Sequence, residues 1–161
     1  MNITLDIPQR ILQGLEEKAR KEDKPLDEVM LEALIDQASL KDPETRIEIH
    51  LKLSEKFLRE AGELLAEEDY IQAGEKAWGA AAQSLKGIAA GRGEELRSHS
   101  ELHQYIGRLQ KETHDAQLGS LWMSASSLHQ NFYESWLSPE TVKVGIENAK
   151  KFVEKLKGLK Q

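Results

Sequence analysis

The stretch from Tyr70 to Ala90, YIQAGEKAWGAAAQSLKGIAA, constrains this chain most. At helical periodicity Ala73, Ala77, Ala81 and Ile88 fall on one line. Ile71, Gly74, Trp78, Ala82, Leu85 and Ala89 fall on the next. Gln72, Glu75, Gly79, Gln83 and Lys86 remain as a narrow polar stripe. A helix with so little wet surface is expected to be surrounded by other helices. Its alanines and glycines let neighbouring backbones approach closely, and Trp78 is the large side chain that anchors the packing. The expected fold class is therefore all-α, an antiparallel up-down helical bundle, with a short strand-helix-helix segment in front of it.

The flanking sequence supplies the partners. Asp42-Pro43-Glu44 reads as a helix start, with cap, proline at the first position and an acid in the first turn. The helix it opens is expected to run to about Glu67. Its stripe is Ile47, Leu51, Leu58, Ala61 and Leu65, flanked by Leu53, Phe57 and Leu64. Asp69 then caps the alanine-rich helix, so the two form an antiparallel hairpin. Gly91-Arg92-Gly93 stops it. Ser98 and Glu101 have capping-box spacing, so a helix begins near His99 with Leu102, Ile106 and Leu109 inward. A break is expected between Thr113 and Gly119. An apolar helix follows, carrying Leu118, Leu121, Trp122, Ala125, Leu128, Phe132 and Trp136. Ser138-Pro139-Glu140 opens a last helix with Val142, Ile146, Ala149, Phe152, Val153 and Leu156.

The front of the chain differs. Ile3, Leu5 and Ile7 alternate with Asn2, Thr4 and Asp6, which predicts a strand with one apolar face. Pro8 ends it and starts a helix with Ile11, Leu12, Leu15 and Ala19. A charged turn leads to Pro25. Asp27 is the expected cap of a second helix with Val29, Met30, Ala33, Leu34 and Ala38. This segment, ITLDIPQRILQGLEEKA and then LDEVMLEALI, resembles the ribbon-helix-helix family. That resemblance implies pairing of two chains through their strands. It also implies DNA reading by the outward side chains Asn2, Thr4 and Asp6. Residues 1–41 hold 6 Lys+Arg against 9 Asp+Glu, and a carboxylate at Asp6 repels phosphate. Dimerisation is the stronger implication, and DNA is the weaker partner. Two domains are expected, 1–41 as a ribbon-helix-helix-like dimerisation segment and 42–161 as the helical bundle.

In the main body, Phe57 to Leu65, Asp69-Tyr70, AGEKAWGAAAQSLKGIAAGRG, Ser98-His99 and Leu102 carry a resemblance to HEPN domains (higher eukaryotes and prokaryotes nucleotide-binding), and within them to the archaeal PaREP family. The resemblance implies a HEPN-like antiparallel bundle, often a homodimer, without an assigned activity. Some HEPN proteins are metal-independent ribonucleases with an Arg and a His separated by four to six residues. Arg92 and His99 have six between them. In such a site His moves a proton and Arg stabilises phosphate charge. Here glycines flank Arg92 and a capping box precedes His99, whereas the family's motif lies along one helix.

Three further groupings stand out in the sequence. Lys86, Arg92, Arg97 and His103, with His99 and Arg108, gather at one helix end and one helix start. This is a candidate contact for nucleotide or RNA phosphate, diluted by Glu94, Glu95 and Glu101. His99 and His103 share a helical face, but no third ligand is identifiable, so no metal site is assigned. Trp122, Phe132, Tyr133 and Trp136 form either a stacking platform or, at this spacing, core. No cofactor is implied.

Composition sets the remaining bounds. The 161 residues suit one domain or a small domain with an appendage, and the net charge of -6 argues against a broad grip on nucleic acid. Absence of cysteine excludes disulfides and thiolate metal sites. No leader pattern or membrane-length apolar run is present, so a cytoplasmic protein without membrane association is expected. The expected function is that of a dimeric HEPN/PaREP-like interaction module associated with RNA or nucleotide through its phosphate candidates. Its alternatives are a ribonuclease using Arg92 and His99, and a ribbon-helix-helix DNA-binding regulator.

Overall fold

The computed structural model describes residues 3–159. Among them are seven α-helices and no strand. They are α1 (Gln9–Glu22), α2 (Leu26–Ala38), α3 (Pro43–Ala66), α4 (Tyr70–Gly91), α5 (His99–Thr113), α6 (Ala116–Glu134) and α7 (Pro139–Gly158). The chain divides into two compact units, Met1–Lys41 and Asp42–Gln161.

In the first unit the expected strand is absent. Residues 3–8 lie outside any helix or strand, with Ile3 and Leu5 largely exposed. Alternation sets which side chains share a face, but a strand also needs a neighbour for its backbone hydrogen bonds. The described residues supply none. α1 and α2 pack on each other. Lys24, in the turn between them, reaches Glu32 at 2.8 Å and Glu22 at 3.2 Å. α2 starts earlier than expected, with Pro25 at the cap position and Asp27 already in the first turn.

The second unit is built from helix starts that the sequence marks well. Asp42 accepts from the Thr45 amide at 2.9 Å, with Pro43 at the first helical position. Asp69 accepts from Gln72 at 3.1 Å, and Ser138 from Thr141 at 3.2 Å. Ser98 and Glu101 form a complete capping box. His114 takes a left-handed conformation and Asp115 caps α6, which resolves the poorly marked break. α6 ends at Glu134, sooner than Trp136. Asn131 Oδ1 accepts from the Leu137 amide at 2.7 Å and turns the chain, leaving Trp136 exposed.

α4 is the axis. Every residue from Ala80 to Ala90 is buried. α3 runs antiparallel to it: Ile47 lies against Gly91, His50 against Gly87, and Phe57 against Gly79. The polar stripe is narrower than expected. Gln83 is buried because its Oε1 accepts from His50 Nδ1 at 2.7 Å, and Lys86 on the next turn is also buried. The buried face of α3 is likewise rotated from the expected stripe. Leu53, Ser54, Phe57 and Ala61 lie deepest, while Ile47, Leu51, Leu58 and Leu65 are half-buried. Ser54 explains the rotation, since its hydroxyl donates to the Ala80 carbonyl at 2.9 Å.

α6 and α7 close on other sides of α4. Val142, Ile146, Ala149, Phe152, Val153 and Leu156 are all buried. Leu128 of α6 seats between Gly74 of α4 and Gly145 of α7. A methyl at Gly145 would stand 2.6 Å from Leu128 Cδ2 and 3.0 Å from its Cγ. Leu128 is buried and has little room to move aside. Gly145→Ala is therefore expected to destabilise the protein by about 1–3 kcal/mol, as overpacking does. Gly62→Ala, at an exposed helical site with nothing near the new methyl, is expected to stabilise it by about 0.5–1 kcal/mol. Urea melts of both variants check this pair of opposite signs.

Candidate functional site

Three histidines and two tryptophans from α4, α5 and α6 meet where the start of α5 crosses the middle of α4. Trp78 of α4 and Trp122 of α6 are buried with ring centroids 4.8 Å apart. His129, two turns beyond Trp122 on α6, stacks on Trp78 at 5.3 Å with 25° between planes. His99, the first residue of α5, meets Trp78 edge-on at 5.7 Å and His129 edge-on at 4.8 Å. His103, one turn later, lies 5.5 Å from Trp122. Tyr133, on the turn after His129, is largely exposed and meets it edge-on at 5.3 Å.

Two hydrogen bonds fix the chemistry of these imidazoles. Glu75, one turn before Trp78, lies 2.9 Å from His129 Nδ1. An ionised carboxylate only accepts, so His129 carries a proton on Nδ1. Its Nε2 is then the nitrogen turned away from Glu75. Trp122 Nε1 donates to His103 Nδ1 at 2.9 Å. An indole N–H only donates, so His103 Nδ1 is unprotonated and its proton sits on Nε2. The cluster thus holds two imidazoles in opposite, fixed tautomers, beside a third.

The other candidates are dispersed. The Arg92 guanidinium makes a bidentate pair with Glu112 at 2.7 and 2.9 Å. That hydrogen bond raises the Arg92 pKa and holds the Glu112 carboxyl below its usual range. Glu112 is thirteen residues along α5 from His99, about 20 Å at 1.5 Å per residue. Within one chain Arg92 and His99 are therefore at opposite ends of α5. Arg97 pairs with Glu95 at 2.8 Å and Arg46 reaches the same carboxylate at 3.4 Å. These partners, the Arg97 hydrogen bond first, lower the Glu95 pKa. Arg108 pairs with Glu94. The arginine corner is charge-compensated rather than a positive patch. Beneath it the Tyr105 ring is buried and its hydroxyl completes no hydrogen bond. Burial holds this phenol above its ordinary pKa against the pull of Arg92. Lys86 lies on the buried length of α4. Thr4 and Asp6 are exposed, and Asn2 falls outside the described residues. Of the stacking candidates, Trp122 is core, Phe132 is half-buried, and Tyr133 and Trp136 are exposed.

The sequence profile of the archaeal PaREP1/PaREP8 family matches residues 49–153, which spans every helix that contributes to this cluster. The chain belongs to that family. Among solved structures, a crystal structure of a protein from Sulfolobus solfataricus is similar to it. The two share 24% sequence identity and a TM-score of 0.60, over 68% of this chain and 97% of that one. This likeness is one of fold. No curated protein matches. No helix among the described residues is long and apolar enough to cross a membrane.

Glu75 and His129 of this PaREP1/PaREP8 chain were not singled out as site residues from the sequence. They are 54 positions apart, and no local spacing connects them. The available signal was weaker: His129 follows Trp122 by seven residues, two helical turns, on one face of α6. The tautomer assignment has a direct check. Nitrogen-15 spectra of labelled imidazoles are expected to show His103 with its proton on Nε2. Trp122→Phe, which keeps an aromatic ring but removes the donor, is expected to release that preference.

Proposed function

We propose that this PaREP1/PaREP8 protein is a HEPN-like antiparallel helical module that binds a nucleotide-bearing ligand, RNA or a free nucleotide, at the imidazole cluster of α4, α5 and α6. The observation that carries this reading is the set Glu75, His129, His99 and Tyr133. It places an oriented imidazole and a second imidazole next to an exposed aromatic ring. In this reading a His99 N–H donates to a phosphate oxygen while His129 donates its Nδ1–H to the Glu75 carboxylate, and an exposed tyrosine offers a face for a base. The N-terminus of α5, where His99 stands, adds the positive end of a helix dipole. The charge-compensated arginine corner fits a secondary role, because a phosphate there would have to displace Glu112 or Glu94.

The module is proposed to act as a homodimer, with residues 1–41 as its dimerisation segment. Ile3, Leu5, Ile11, Leu34 and Leu40 support this, since all five are exposed in a segment too small to hold a sizeable core. The ribonuclease reading through Arg92 and His99 requires a second copy to bring an arginine to the histidine, because α5 separates the two within one chain.

Fluorescence anisotropy with short single-stranded RNA and with labelled ATP tests the binding reading. Tyr133→Ala and His99→Gln are each expected to weaken binding about tenfold or more, and Arg97→Gln to change it little. Binding that is unaffected at Tyr133 and His99 but lost at Arg92 or Arg97 would move the site to the arginine corner. The same samples, run on a denaturing gel, report cleavage.

A further inference from the structure

The two imidazoles His99 and His129 have a feature that phosphate or base recognition does not require. Their ring centroids are 4.8 Å apart, and each offers a ring nitrogen within 4.8 Å of the other's. The Glu75 carboxylate holds His129 through Nδ1, at 2.9 and 3.1 Å. A carboxylate on one imidazole nitrogen sets the other nitrogen as a metal ligand, fixes the ring's rotation and raises its basicity. Trp78 restrains both rings, stacked against His129 and edge-on to His99. The two rings therefore lie side by side before any ligand arrives, a small rotation short of ligating distance.

We infer that His99 and His129 form a binding site for a divalent transition metal ion, with Glu75 as the group that orients His129. Imidazole nitrogens suit zinc, cobalt, nickel and copper rather than magnesium or calcium. Metal–nitrogen distances of about 2.0–2.1 Å bring two ligating nitrogens closer together than 4.8 Å, so a small rotation of the rings completes the pair. Two protein nitrogens leave coordination positions for water or an oxygen of a bound molecule. His103 does not take part, because Trp122 occupies its Nδ1. The site was not legible from the spacing of His99 and His103, whose helical proximity points to the wrong pair. The inference uses the same cluster as the proposed ligand site but does not rest on that reading. Metal binds or fails to bind with no nucleotide present, so each claim fails separately.

The test is titration of the full chain, prepared without a histidine tag, with Co2+ and with Zn2+. Calorimetry and the visible absorption of Co2+ are the readouts. One bound equivalent is expected, with Mg2+ failing to compete. His99→Gln and His129→Gln are each expected to lose at least tenfold in affinity. Glu75→Gln is expected to lose roughly 10–100-fold while leaving both ligands in place, and His103→Gln to bind as the parent does. Circular dichroism melts confirm that each variant folds. Because Glu75 is not a ligand, its variant keeps the test decisive even if His129→Gln unfolds. Absence of binding by the parent overturns the inference, as does parent-like affinity in His99→Gln, His129→Gln or Glu75→Gln, or loss of affinity in His103→Gln.

Discussion

The close approach of α4 to its neighbours is the constraint on which the second unit depends. Helix pairs that meet through leucine-sized side chains keep their axes 8–10 Å apart. α4 instead presents Gly74, Ala77, Gly79, Ala81, Gly87 and Ala89, so partners reach its backbone. Phe57 comes within van der Waals reach of Gly79, and Leu128 of Gly74. The Ser54 hydroxyl reaches the Ala80 carbonyl itself. Substituting a larger residue at such positions forces the neighbour to move, and the neighbours are themselves buried. Trp78 is the largest side chain on this surface. It occupies the place where α5 and α6 both arrive, and the histidines gather around it.

The candidate site follows from that arrangement. A tryptophan on a helix of small residues leaves room around its ring, and the room is filled by Trp122, His129 and His99 rather than by aliphatic side chains. The imidazoles are only partly withdrawn from water, with His99 and His129 half-buried and His103 exposed, and hydrogen bonds set the orientation of two of them. Glu75 satisfies one nitrogen of His129 and Trp122 one nitrogen of His103. The same hydrogen bonds assign the tautomers. Packing and acid-base character are here set by the same few contacts, which distinguishes this cluster from the exposed ion pairs along α5.

Much of the fold was legible because helix starts are local. Asp42-Pro43, Asp69, Ser98 with Glu101, and Ser138-Pro139 each announce themselves within four residues, and each caps as its sequence indicates. The strand expected over residues 2–7 is absent from its described part, 3–7, for the opposite reason, since pairing is not a local property. The rotation of α3 was hidden because Ser54 looks polar until its carbonyl partner is known. The candidate site was the least legible part. Spacing offered Arg92 with His99, which lie at opposite ends of α5, and His99 with His103, one turn apart on that helix, for which no third ligand was identifiable. The glycine break and the length of α5 separate the first pair, and Trp122 takes the second histidine of the other. Glu75 and His129 needed the crossing of α4 and α6 to be seen together.

The positions of the neighbouring helices depend on α4 having no room at its small residues. Ala81→Leu measures this most directly, since Ala81 is fully buried at the middle of the helix. Denaturant unfolding is predicted to show a loss of about 1–3 kcal/mol or more. Ala66→Leu, on the exposed end of α3, is predicted to stay within about 0.5 kcal/mol of the parent. An Ala81→Leu protein as stable as its parent would contradict the enclosure of α4 and the positioning of the histidines built upon it.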